Sequence, residues 1–430
     1  MQAVKGTKDF LPEEMILRER IIENFKQTFE LFGFQPMETP SIEEWNVLAK
    51  KGGGGEDILS ETFSFEDKGK RKIGLRYDLT IPLARVIASN PTLPLPFKRY
   101  QIGKVWRYGE VSKGRLREFL QCDIDIIGSE SMLADAEVLA CATKALESIN
   151  LKNFFIRLNN RKILSGIISY VEIDENASLN VIRTIDKLDK IGLNNVEKKL
   201  KELNIQETSI KKILDFIKIS GEPKDVLKKV EEIIGNFKNC ISEMEELLNY
   251  LKMFNIYEKV KFDISLARGL DYYTGPIFEI SARKEMGSIA GGGRYDKLIG
   301  LFAGKDIPAT GISLGFERIF ELIKENKNIE TPKTKIKAYI VTTSEKLIEN
   351  AIKIANELRK NNIATDFNIR KRSLEKQLEY ADSLQIPYVI IIGEKELKNN
   401  VVKVKDMKQR KEMEVKIDEL VKFFYLARTL

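Results

Sequence analysis

Among 430 residues there is no histidine. That absence removes serine–histidine and cysteine–histidine nucleophiles and the HExxH zinc sites. Any catalysis must rest on Arg, Lys, carboxylates, Tyr, backbone groups or a bound metal. Cysteine is scarce. Cys122, Cys141 and Cys240 lie far apart without metal-ligand spacing, which argues against a disulfide framework. No apolar run approaches the roughly 18–20 residues that a membrane span requires. The N-terminal MQAVKGTKDF lacks the apolar stretch of a signal peptide. A soluble protein of a reducing compartment, the cytoplasm, is expected. Glycine motifs for phosphate are missing too. There is no GxxxxGK[ST], and neither KGGGGED nor AGGGRYD fits GxGxxG. A phosphate group, if one is bound, must be gripped by arginines, whose forked guanidinium pairs bidentately with phosphate or carboxylate.

What is present suits two or three domains. Hydrophobic residues make up 43%, enough for full-sized cores, and the net charge is +7. The charge is uneven. Residues 335–430 carry 20 Lys and Arg against 14 Asp and Glu, nearly all of the excess. A basic terminal segment points to a polyanionic partner, nucleic acid before membrane, since no basic amphipathic helix stands out.

Periodicity predicts a helix over 13–32 ended by Gly33, then a short strand punctuated by Pro36 and Pro40. A strand KIGLRYD leads into a helix beginning near Thr80. Strands over 97–108 and 117–128 flank a basic loop, predicting an antiparallel hairpin. Residues 163–235 read as a lysine-rich helical insertion. Strands return at 260–266 and 276–282, the glycine cluster 291–293 follows, and TGISLGFERIFELIKE reads as a strand running into a helix. A polar linker covers 326–334. Beyond it, β and α patterns alternate, with Ser344 placed as a helix N-cap, which predicts a separate α/β domain over 335–430.

Two stretches carry chemistry. SLARGLDYYTGPIFEI sets Arg268, Asp271, Tyr272 and Tyr273 between two strand-like segments. It reads either as a hairpin corner with a surface ion pair or as the wall of a pocket for something small, charged and aromatic. In VWRYGEVSKGRLREFLQCDIDIIG, Arg107 ends one strand and Arg115 and Arg117 begin the next. Alternation puts Arg117, Phe119, Gln121, Asp123 and Asp125 on one face and Leu120, Cys122, Ile124 and Ile126 on the other.

That hairpin resembles motif 2 of the class II aminoacyl-tRNA synthetases. FGFQPMETPSIEE is similar to their motif 1, with Pro40 as its proline, and GISLGFERIFEL to their motif 3, with Arg318 as its arginine. LARGLDYYTGPIFE and AGGGRYDKLIG resemble the two signature blocks of the histidyl-tRNA synthetase family, and IPYVIIIGEKE resembles its anticodon-binding domain. The order is right over nearly the whole chain. The resemblance implies an α+β fold: a class II catalytic core of antiparallel sheet over 1–325 with the helical insertion, the linker, and an anticodon-binding domain over 335–430. It implies ATP-dependent attachment of histidine to tRNA(His) through histidyl-adenylate, releasing AMP and pyrophosphate, with Mg2+ accompanying ATP and a homodimer built through motif 1.

It also implies roles. Arg107 and Arg268 would act catalytically at the α-phosphate. Arg107, Arg115 and Arg318 would hold the nucleotide phosphates while Phe119 stacks on adenine. Asp78, Thr80, Gln121, Asp125, Arg268, Tyr272 and Tyr273 would surround histidine, with no dedicated metal site. Two departures from the family pattern are Gly109, where motif 2 usually carries an acid, and FLQ in place of FHQ. The alternative is a non-catalytic, histidine-sensing regulatory paralogue of histidine biosynthesis. Those relatives lack the anticodon-binding domain, so the basic segment 335–430 argues against it. A synthetase for proline is opposed by RGLDYY and Asp125.

Overall fold

The computed structural model describes residues 1–50, 59–235, 238–267, 272–283, 287–325, 332–370 and 372–427. The chain divides into two compact units, Met1–Lys8 with Ile21–Lys327, and Asp9–Arg20 with Asn328–Leu430. Among the described residues, no helix is long and apolar enough to cross a membrane.

In the larger unit, the segment expected as one short strand is two. Gln35–Pro36 (β1) and Ile42–Glu44 (β2) join different sheets, with Pro40, which cannot donate to a ladder, between them. β2 belongs to a three-stranded antiparallel sheet with Ser64–Glu66 (β3) and Lys72–Leu75 (β4). The helix Thr80–Ser89 follows. The hairpin forms as the alternation predicts. Phe97–Trp106 (β5) and Glu118–Ile127 (β6) pair antiparallel, setting Arg99 opposite Asp125 and Val105 opposite Phe119.

Phe155–Asn160 (β7), Val260–Phe262 (β8), Pro276–Ser281 (β9), Ser288–Arg294 (β10) and Ala309–Gly315 (β11) complete an eight-stranded sheet in the order β1-β5-β6-β11-β10-β9-β7-β8. Only its two edge pairs, β1–β5 and β7–β8, are parallel. β10 contains the glycine cluster. Glycine disfavours strands in isolation, but here its neighbours demand it. A Cβ on Gly292 would lie 2.1 Å from the Gly311 carbonyl oxygen of β11.

Between β7 and β8 the described chain is helical from Arg161 to Met253. Leu164, Ile182, Ile185, Val196 and Ile213 form an apolar core there. Leu266, Ala267 and Ile277 extend it to the sheet, with Tyr273 packed against it.

The smaller unit has a five-stranded sheet built from Ala338–Thr342 (β12), Thr365–Phe367 (β13), Tyr388–Ile392 (β14), Val401–Asp406 (β15) and Lys411–Lys416 (β16), ordered β13-β12-β14-β15-β16. The first three strands are parallel; β15 and β16 add an antiparallel hairpin that the alternation of elements had not suggested. Ser344 does not cap the helix as expected. A 3-10 turn, Glu345–Leu347, intervenes before the helix Ile348–Lys360. The tighter turn lets the Ser344 carbonyl accept from Leu347 N, so its hydroxyl has no partner among the described residues.

Candidate active site

A cavity of about 650 Å3 opens on the face of β6, β10 and β11. Phe119, Gln121, Asp123 and Asp125 line it from alternate positions of β6, as period-two alternation requires. The apolar partners Cys122, Ile124 and Ile126 are buried on the opposite face. Arg117 shares the alternation but not the cavity: its guanidinium lies 3.8 Å over the Tyr108 ring and its methylenes pack on Gly6.

Cations gather at the hairpin-loop end. Arg107 Nε donates to the Tyr77 carbonyl at 3.1 Å, and its guanidinium lies 4.3 Å from the Tyr77 ring and 5.2 Å from that of Phe119. Arg115 is held by a bridge to Ser112, in a loop turned at Gly114 with φ +68. Arg318 follows β11 in the helix Phe316–Glu325 and donates through Nη1 to the Ser288 carbonyl at 2.5 Å. The neighbouring Glu317 accepts from Leu120 N at 3.2 Å, tying this helix to β6. Phe119 therefore stands among fixed guanidinium groups.

Farther along β6 the sign reverses. Six residues of strand separate Phe119 from Asp125, roughly 20 Å. Asp125 accepts the Tyr295 hydroxyl at 2.5 Å and pairs with Arg99 Nη2 at 2.8 Å. Arg99 is fully buried. Burial raises the Asp125 carboxyl above its ordinary range, while Arg99 and the Tyr295 hydroxyl oppose the rise. The same cause pushes Asp123 up to about 7, with Arg99 opposing and Asp125 adding to it. Asp78 Oδ1 accepts from the backbone of Thr80 and Ile81 at 3.2 and 3.0 Å, so it caps the Thr80–Ser89 helix while lining the cavity. Gln121 Nε2 donates to Ser313 Oγ at 2.7 Å, leaving Oε1 without a partner among the described residues. The Tyr272 and Tyr273 rings lie 4.5 Å apart, and burial raises the Tyr273 phenol well above its ordinary range.

Asp78, Thr80, Arg107, Arg115, Phe119, Gln121, Asp125, Tyr272, Tyr273 and Arg318 thus all line one cavity. Arg268 and Asp271 lie outside the described residues. Sequence reasoning left Arg99, Asp123 and Tyr295 out of the site, although alternation along β6 had already put Asp123 on the lining face. It also passed over Glu61, which lines the cavity and accepts the Tyr77 hydroxyl at 2.9 Å. Arg183 and Asp186 of the helix Glu175–Asp186 reach the cavity as well, and no motif marks them.

The model of the histidyl-tRNA synthetase family matches residues 6–319, and that of an anticodon binding domain matches 337–425. The chain belongs to the histidyl-tRNA synthetase family. It is 39% identical to histidine–tRNA ligase 1 of Bacillus cereus, over 98% of this chain and 99% of that one. It is 40% identical to histidine–tRNA ligase of Korarchaeum cryptofilum, over 97% and 96%. The crystal structure of histidyl-tRNA synthetase from Nostoc superposes with a TM-score of 0.87 at 32% identity, covering 100% of this chain and 99% of that one. That of apo S. aureus histidyl-tRNA synthetase superposes at 0.73 and 25% identity, with 99% of each covered. A histidyl-tRNA synthetase fold therefore accounts for both the antiparallel sheet under the cavity and the C-terminal unit.

Proposed function

We propose that this protein attaches histidine to tRNA(His) in two steps at the cavity. In the first, the carboxylate of histidine attacks the α-phosphate of ATP, forming histidyl-adenylate and releasing pyrophosphate. In the second, a terminal ribose hydroxyl of the tRNA takes the histidyl group and AMP leaves. The observation that carries this reading is the sorting of charge along one strand face, with arginines around Phe119 and carboxylates around Asp125. A nucleotide fits the first region and an amino acid with a basic ring fits the second.

In this reading Arg107 faces the α-phosphate, where attack builds negative charge. A fixed guanidinium stabilises that charge without moving a proton, so a chain without histidine loses nothing essential. Arg115 and Arg318 hold the outer phosphates and Phe119 stacks on adenine. Asp78 and Thr80 receive the α-ammonium group. Asp78 is already oriented by the helix it caps. Gln121, Asp125, Tyr272 and Tyr273 surround the side chain, and Arg268 bridges carboxylate and phosphate. Mg2+ would accompany ATP, held mainly through the phosphate oxygens. The basic C-terminal unit would contribute phosphate and base contacts to the tRNA. A homodimer working in the cytoplasm completes the proposal.

ATP–pyrophosphate exchange measured with each of the twenty amino acids, followed by charging of tRNA(His), tests it. Histidine-dependent exchange and charging are expected. Histidine binding without exchange would favour the regulatory reading, against which the anticodon-binding segment 337–425 stands.

A further inference from the structure

Asp123 has no part in the roles assigned above, yet it is as deeply buried as Asp125 and lines the same cavity. The groups facing it come from several elements. Asp125 lies two residues along its own strand. Arg99 reaches over from β5, where its register partner is Asp125. Arg76 and Asp78 come from the segment after β4. The Ser313 hydroxyl donates from β11, and the Tyr273 phenol lies within its field. Tyr295 is committed to Asp125. Arg76 is committed to the Thr39 and Lys104 carbonyls at 2.6 and 2.8 Å, and it also answers Glu38 and Glu43. Arg99 is thus the cation that Asp123 and Asp125 share. Asp123 Oδ1 and Arg99 Nε and Nη1 have no hydrogen-bond partner among the described residues.

The spacing fits a ring with two nitrogens. Side chains two residues apart on one strand face stand about 6.6 Å apart. An imidazole offers a nitrogen on each side, each able to take one hydrogen bond of about 2.8 Å. We propose that bound histidine bridges Asp125 and Asp123, and that its ring shares one proton with the Asp123 carboxyl. Asp123 is then a positioning residue that fixes the ring by charge. This rests on histidine being the substrate.

The proton balance follows. A free imidazole titrates near 6.5, and burial holds Asp123 near 7. In acid both carry a proton, so binding releases one. In base neither does, so binding takes one up from solvent. In both cases the complex holds a single proton between ring and carboxyl. A neutral ring of the same size cannot share a proton, so the device also selects for histidine.

Isothermal titration of the full-length protein with histidine tests this. It is run at pH 5.5 and pH 8 in paired buffers of different ionisation enthalpy, with the unmodified protein and Asp123→Asn. The unmodified protein is expected to take up close to one proton at pH 8 and to release close to one at pH 5.5. Its affinity should peak between those values, falling about tenfold per pH unit on each limb. In Asp123→Asn the uptake at pH 8 should vanish, and affinity should level off rather than fall in base. The α-ammonium of histidine contributes equally to both proteins and drops out of the difference. Binding heat at pH 8 that is independent of buffer in the unmodified protein would overturn the proposal, whether or not the variant folds. So would equal uptake in the variant. Histidine that fails to bind at any pH would overturn the substrate reading itself, whereas binding without proton exchange overturns only the role of Asp123.

Discussion

Gly311 pairs with Asp125 across β11 and β6, and a Cβ on Gly311 would lie 2.0 Å from Asp125 Oδ1 and 2.8 Å from the Ile124 carbonyl oxygen. The space that a side chain would fill is the space the carboxylate occupies. Gly311→Ala should therefore swing Asp125 away from the ring of histidine while leaving the arginine end alone. Losing one buried hydrogen-bond partner costs about 1–3 kcal/mol, so the histidine KM in pyrophosphate exchange should rise about tenfold or more. The ATP KM should stay within about twofold. Equal changes in both would mean that the whole sheet had shifted.

Asp123 gives stability a sign with pH. Its folded value, about 7, lies above the ordinary carboxylate value of about 3.9, so the folded protein binds the proton more tightly than the unfolded chain. Its contribution is intact below about 4, declines as pH rises through 7, and becomes a full burden beyond. Asp123→Asn should raise the thermal midpoint more at pH 8 than at pH 5, read by differential scanning calorimetry without substrates. A rise of the same size at both values would show that Asp123 does not titrate in this range.

The Arg294–Asp135 pair anchors the strand that carries the glycine cluster. Both side chains are buried. Arg294 donates to Asp135 and to the Ser129 and Ser131 carbonyls, while Thr310 Oγ1 donates to Asp135 at 2.7 Å. Removing Asp135 leaves Arg294 only the longer pair with the more exposed Asp296 at 3.4 Å, so the cost should approach the about 3–5 kcal/mol of a broken buried pair. Asp135→Ala should lower the urea midpoint accordingly. A loss under about 1 kcal/mol would mean that Asp296 or water takes over the guanidinium of Arg294.

Arg268 is tested by separating the two steps. Arg268→Ala should slow adenylate formation on the order of a hundredfold or more, with transfer from preformed histidyl-adenylate to tRNA much less affected. Arg268→Lys should rescue little, since an ammonium cannot reproduce a fork spanning carboxylate and phosphate. Single-turnover measurement of both steps decides, and near-normal adenylate formation in the alanine variant would return the residue to a structural role.

The hairpin β5–β6 was legible because its alternation is strict and one face is apolar; the loop arginines and Phe119 through Asp125 followed from it. Arg99 was not. Nothing in KRYQIGKVW distinguishes one buried guanidinium from the other basic side chains, and its importance comes from the register that sets it opposite Asp125. β10 was hidden for a different reason. A run of glycines has no strand preference of its own, and the ladder is imposed by β9 and β11 on either side. The hairpin β15–β16 mixes lysine and glutamate so heavily that its buried pair, Val402 and Val404, is its main sign of a core face. Tyr295 sits inside a glycine-rich signature, and no periodicity there marks its phenol as the group that holds Asp125.

The floor beneath the cavity is largely backbone, and that limits how the protein can escape an inhibitor. A compound resting on Gly291, Gly292 and Gly311 would touch main-chain atoms that no codon change can recolour. Any side chain at Gly292 meets the Gly311 oxygen at 2.1 Å, and any at Gly311 displaces Asp125, so a changed floor would disturb either the sheet or the carboxylate above it. Resistance would arise more readily at lining side chains without an assigned role, such as Glu61, Arg183 and Asp186. A scaffold anchored on the glycines and kept short of those three side chains leaves mutation little room to act.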